Sequence, residues 1–199
     1  QTLINTYYSL LFSSFSQSFW VLDEDRPFIY HRYGGAEPLD APWKTIDLSR
    51  HIGSGSGLGI GVASPEDDLL AMTTDDGSEG LVYFPAQDKV LSTGPMRTVG
   101  STNEPMIMPY IDAYSKHVIF ADMEGNVALF DLVNGNGKPE RFTVKFSPRF
   151  IRTGWLESTW ILAGDKGIMF QSFKDPSDRK VVRFVPEVMN MWVTGDSKT

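Results

Sequence analysis

The chain has 199 residues, with 18 Lys and Arg against 25 Asp and Glu and a formal net charge of −7. That balance argues against a nucleic-acid backbone as the main partner, which needs clustered cations, and 41% hydrophobic residues are too many for general disorder. No cysteine is present, so disulfides and cysteine-ligated zinc are excluded, and no apolar run reaches the ~20 residues of a bilayer-spanning helix.

In chain order, residues 3–15 place Leu3, Ile4, Tyr7, Tyr8, Leu11, Phe12 and Phe15 on one helical stripe. The pattern that follows instead assigns a strand from about Tyr8. An apolar strand over Phe19–Asp23, an acidic turn and Phe28–Tyr30 then read as a hairpin, followed by a strand over Lys44–Leu48. A second unit runs Leu58–Val62, Leu69–Met72, a turn at Asp75-Asp76-Gly77, Leu81–Phe84 and Lys89–Ser92. The third has Met106–Ile111, Val118–Asp122, a turn at Glu124-Gly125, Val127–Phe130 and Arg141–Phe146. In its last strand Phe142, Val144 and Phe146 share one face and Arg141, Thr143 and Lys145 the other, as an outer strand with one wet face requires. The fourth unit has Arg149–Arg152, Trp160–Ala163, a turn at Asp165-Lys166-Gly167, Ile168–Phe170 and Lys180–Val185, and Val188–Thr194 reads as one extra strand.

The anchors Phe15, Pro65, Tyr114 and Trp155 are 50, 49 and 41 positions apart. A period near 40–45 residues with four strands per unit is the signature of propeller blades. The predicted fold is therefore all-β: a β-propeller or partial propeller over residues 1–199. It has about four four-stranded antiparallel blades at 8–48, 58–92, 106–146 and 149–185, plus the extra C-terminal strand 188–194. Trp20 and Trp160 take matching mid-strand repeat positions, which predicts core packing for both.

The stretch from His117 to Gly135 resembles the central hairpin of a WD-type propeller repeat. Phe130-Asp131 stands where that family carries Trp-Asp, and Asn134-Gly135 follows as the exit turn. The other three units share only the outline, and the family's Gly-His pair is absent. The resemblance implies a propeller and carries over no functional residue. WD-type rings usually hold more than four blades, so either the small ring closes with residues 188–194 or another chain or segment finishes it. An open ring leaves unpaired strand edges, which predicts an oligomer or a place in a larger assembly.

Equivalent turns of successive blades emerge on one face. The acids Asp23, Glu24, Asp25, Asp75, Asp76, Glu79, Asp122, Glu124 and Asp165 are thus expected on a common rim, where they would steer a basic segment of another protein. Asp also suits tight turns for purely local reasons. Trp43 and Trp155 lie near loops and are the candidates for stacking on a sugar. The glycines from Gly53 to Gly61 lead into a strand rather than a helix and lack the Lys-Ser/Thr ending of a phosphate-binding loop. His31, His51 and His117 have no metal-ligand spacing, and no Gly-x-Ser-x-Gly joins a strand to a helix. A carboxylate pair for glycoside hydrolysis carries no sequence signature here. The sequence thus points to a non-enzymatic protein-interaction scaffold without metal or cofactor, with a carbohydrate-binding propeller as the alternative and a propeller glycosidase behind it.

Overall fold

The computed structural model describes residues 8–34, 42–52, 55–96, 108–112, 114–153, 159–175 and 177–183. These fold into four antiparallel sheets of four strands each, every sheet ordered as its strands follow in the chain. Sheet 1 holds β1 (Tyr8–Ser13), β2 (Ser18–Asp23), β3 (Phe28–Tyr33) and β4 (Lys44–Asp47). One helical turn, α1 (Ser49–Ile52), leads to sheet 2, made of β5 (Leu58–Ala63), β6 (Leu70–Thr74), β7 (Glu79–Phe84) and β8 (Lys89–Pro95). Sheet 3 contains β9 (Met108–Ile111), β10 (His117–Ala121), β11 (Asn126–Asp131) and β12 (Glu140–Thr143). Sheet 4 contains β13 (Ser147–Thr153), β14 (Thr159–Asp165), β15 (Gly167–Ser172) and β16 (Arg179–Arg183).

The first strands of successive sheets lie against one another, β1 on β5, β5 on β9 and β9 on β13. Among the described residues no comparable contact joins β13 back to β1. The sheets therefore stack face to face around the side of the inner strands, in propeller fashion. The start of the chain settles in favour of the strand: Tyr8–Ser13 pairs with Ser18–Asp23 residue for residue. Residues 1–7 and the expected strand 188–194 lie outside the described residues.

Strand alternation explains the core. Val118 and Phe120 of β10 and Ala128 and Phe130 of β11 pack toward sheet 2 against Leu69, Ala71 and Val82. The intervening Ile119, Ala121, Val127 and Leu129 pack toward sheet 4 against Ile151, Trp160, Leu162 and Met169. Sheet 2 likewise turns Leu70, Met72, Leu81 and Tyr83 to Leu11, Trp20, Leu22 and Ile29 of sheet 1. A strand buried on both faces reads as an apolar run, which is what β6 and β10 show.

Two details correct the sequence reading. Trp20 and Trp160 are both buried, but they do not occupy the same repeat position. Trp20 faces the following sheet and Trp160 the preceding one, so the register is offset by one residue and the offset reverses the face. The strand expected at Arg141–Phe146 ends at Thr143. Val144 and Phe146 keep their inward alternation in the connection to sheet 4, both buried, with the Val144 amide donating to the Gly125 carbonyl at 2.8 Å.

Two glycines within β5 are explained by crowding, Gly61 by sheet 1 and Gly59 by the adjacent strand of its own sheet. A Cβ on Gly61 would stand 2.8 Å from Leu22 Cδ1, and one on Gly59 would stand 2.5 Å from Thr73 Oγ1.

Candidate functional site

Sheets 1, 2 and 3 send the turn between their first and second strands to one end of the stack, and each sheet sends the turn between its second and third strands to the other. The two ends differ in chemistry.

At the first end, the turns Ser64–Leu69 and Asp112–His117 have one geometry. Asp67 N donates to the Ser64 carbonyl (3.3 Å) and Ser115 N to the Asp112 carbonyl (3.1 Å). Asp67 and Ser115 are left-handed, at φ 64° and 53°. A side chain caps each turn, Ser64 Oγ receiving Leu69 N and Asp112 Oδ1 receiving Lys116 N. Short polar residues favour such turns because they bond the backbone a few residues on.

Asp67 projects from its turn into sheet 1. Its carboxylate accepts from Ser18 Oγ and from Trp20 Nε1 (2.5 Å), and lies 3.3 Å from His31 Nε2. The His31 ring stacks on Trp20 with centroids 3.8 Å apart. Ser13 Oγ donates to the Ser64 carbonyl (2.8 Å) and Phe15 N to the Pro65 carbonyl (3.0 Å), so sheets 1 and 2 are stapled across this end. Burial works against ionisation of Asp67. Hydrogen bonds from Ser18 and Trp20, together with the neighbouring His31, outweigh it and hold the carboxyl below its ordinary range.

Between sheets 3 and 4, Asp112 Oδ2 lies 2.6 Å from His117 Nδ1, and the imidazole stacks on Phe173 at 3.9 Å. Asp112 holds one ring nitrogen and so, with the Phe173 stack, fixes the orientation of the imidazole. Among the described residues His117 hydrogen-bonds to Asp112. Arg179 Nε donates to Gln171 Oε1 (2.7 Å), its Nη2 pairs with Glu140 (3.1 Å), and its guanidinium lies 3.5 Å from the Phe142 ring centroid. That contact turns Gln171 Nε2 into the interface, where it and Trp160 Nε1 are buried without an acceptor.

The second end carries the acidic turns. Asp23 is buried and accepts from Asp25 N and Tyr30 Oη, both at 3.0 Å. Asp122 is buried and accepts from Glu124 N (3.0 Å), Asn126 N (2.8 Å) and Asn126 Nδ2 (2.8 Å). Burial pushes the Asp122 carboxyl up, aided by Glu124 and opposed by these bonds. Asp76 caps its turn through Thr74 Oγ1 and Ser78 N, and Glu79 accepts from Ser92 Oγ. Asp25, Asp75, Asp76 and Glu124 are exposed, while Glu24, Glu79 and Asp165 are half-buried. Some of the expected acids thus hold their own turns and others face outward. Among the described residues no group of three or more His, Asp or Glu is placed to hold a metal ion.

Trp43 is 39% exposed at the start of β4, and Trp155 lies outside the described residues. A groove of about 250 Å³ between sheets 2 and 3 is lined by Met96, Asn126, Ala128, Arg141 and Phe142. Arg141 Nη1 spans it to the Pro95 carbonyl at 3.1 Å. The joining residues Asp67, Asp112 and Arg179 are not marked by the repeat pattern. The available signal was Ser64 and Asp112 opening equivalent turns.

No protein-family model matches the chain, and no curated protein matches it. Solved structures do. The periplasmic gluconolactonase of Pseudomonas aeruginosa superposes with a TM-score of 0.58 at 13% identity, over 92% of this chain and 54% of that one. The chain thus spans about half the length of that protein. At this identity the likeness establishes the fold, and with the four four-stranded sheets it makes the chain an all-β, propeller-like protein.

Proposed function

We propose that the chain is a non-enzymatic interaction module that works as part of a larger protein assembly. One observation carries this reading: among the described residues no sheet packs on the outward faces of sheets 1 and 4, and both expose large apolar side chains. Leu10 and Phe12 of β1 are 65% and 54% exposed, and Phe170 and Val182 of sheet 4 are 38% and 52% exposed. Contiguous exposed apolar surface of this kind marks an interaction site. The outward acids Asp25, Asp75, Asp76 and Glu124 suit a basic segment of a partner. Light scattering on the chromatographed chain, with a dye that reports apolar surface, tests the module reading. A stable monomer that does not bind the dye would refute it.

A second reading, a carbohydrate ligand, is favoured by the exposed indole of Trp43 and by a structural neighbour named for a sugar lactone. A glycan array blank for the chain, or unchanged by Trp43→Ala, removes it.

A further inference from the structure

Sheet 4 presents outward the side chains that sheet 3 uses to receive sheet 4. In β10 and β11, Ile119 pairs with Leu129 and Ala121 with Val127, and all four are buried against sheet 4. In β14 and β15 the corresponding pairs are Ile161 with Phe170 and Ala163 with Ile168. They point away from sheet 3, because Trp160, Leu162 and Met169 point toward it. Sheet 1 is the reverse case. Phe19, Val21, Tyr30 and Arg32 occupy the positions of Val118, Phe120, Ala128 and Phe130, which in sheet 3 are buried against the preceding sheet. Leu10 and Phe12 extend that face along β1 through their pairing with Val21 and Phe19. Each end of the stack therefore offers the face that the other end lacks.

We infer that the occupant is a second copy of this chain, joined head to tail. Sheet 4 of each copy packs on sheet 1 of the other, which repeats the three junctions already inside the chain. This proposal rests on the interaction-module reading and names its partner. Two copies close a ring of eight sheets, within the range of four to eight blades that propellers adopt. Two head-to-tail contacts related by a twofold axis close on themselves, so the assembly stops at two chains rather than growing into a fibre. Phe170 becomes buried, as its counterparts Val82 and Leu129 in sheets 2 and 3 are, and Leu10, Phe12 and Val182 become covered.

Sedimentation velocity over a micromolar concentration series tests the pair. The wild-type chain should sediment at twice its own mass. Leu10→Asp and Phe170→Asp should each weaken association by ~30-fold or more, as expected for charging the centre of an apolar interface, with circular dichroism confirming that both variants fold. Mixing the two variants should partly restore the dimer, because one of the two junctions in the mixed pair carries neither aspartate. A contact of sheet 1 with sheet 1 would be insensitive to Phe170→Asp, and that result overturns the head-to-tail pair. A wild-type monomer at tens of micromolar also overturns it. If that monomer binds the dye and Leu10→Asp or Phe170→Asp reduces the signal, the module reading stands and only the second copy is rejected. If it binds no dye, both fall.

Discussion

Asp67 sits at a φ of 64°, a region that few residues other than Gly, Asn and Asp enter readily, and it takes three side-chain partners from the neighbouring sheet. Replacing it by Ala removes the acceptor while leaving Ser18 and the Trp20 indole buried. Leaving buried donors unmet costs on the order of 1–3 kcal/mol, so Asp67→Ala should lose about 2–3 kcal/mol in urea unfolding. Gly at this position relieves the backbone but not the donors, and should recover only part of that loss. The acid side follows from the same carboxylate. Its folded-state value lies below the ordinary one of ~3.9. The stability it contributes is therefore complete above that ordinary value and is lost as pH falls through the lower, folded-state one. Asp67→Asn should make unfolding between about pH 4 and pH 2 less pH-dependent than in the wild type, read by tryptophan fluorescence. Asp122 has the opposite sign: its raised value means that ionisation costs stability at neutral pH, and protonation relieves the cost as pH falls through that value. Asp122→Asn should therefore be better tolerated at pH 7 than at pH 4.

Between elements, the junctions rely on close approach as well as on apolar area. A Cβ on Gly80 of β7 would stand 2.5 Å from Phe120 Cδ1 in the next sheet, and the Phe120 ring is fully buried. Gly80→Ala should cost ~1–3 kcal/mol, the usual range for overpacking a tight core. The paired Gly80→Ala, Phe120→Leu variant should lose less than the two single changes added together, since the smaller side chain removes the collision. At the junction of sheets 3 and 4, Arg179 covers Phe142, orients Gln171 and pairs with Glu140. Lys has neither the planar stack nor the fork. Arg179→Lys should consequently lose ~1 kcal/mol or more, relative to a neutral change at the exposed Lys174. The repeat was legible at this scale because strand pairs and Asp-Gly turns are local. The one-residue offset between Trp20 and Trp160 was not, since both β2 and β14 are apolar at consecutive positions and such a run does not state which face each residue takes.

For the whole molecule, the outward acids give a prediction that does not depend on how the stack is completed. Binding of a Lys/Arg-rich peptide should weaken steeply as salt rises from 50 to 500 mM, because exposed charges are screened within about 8–10 Å at physiological ionic strength. Asp75→Asn with Glu124→Gln should reduce the affinity and flatten the salt dependence, measured by fluorescence anisotropy. Charge reversal at the buried Asp23 or Asp122 should instead damage folding, because those carboxylates hold their turns.

Composition, turn chemistry and a period near 40–50 residues determined an all-β chain of four four-stranded units, because each hairpin is specified by residues close together in the chain. Only the tertiary structure decided how those units meet. The Asp67 hub joins residues from three elements, the Asp112–His117 pair gains its Phe173 cover from another sheet, and the outer faces of sheets 1 and 4 differ from inner ones in having, among the described residues, no sheet against them. A strand's alternation states that it has two faces. Which face finds a neighbour depends on contacts between residues far apart in sequence, and these carry no local signal.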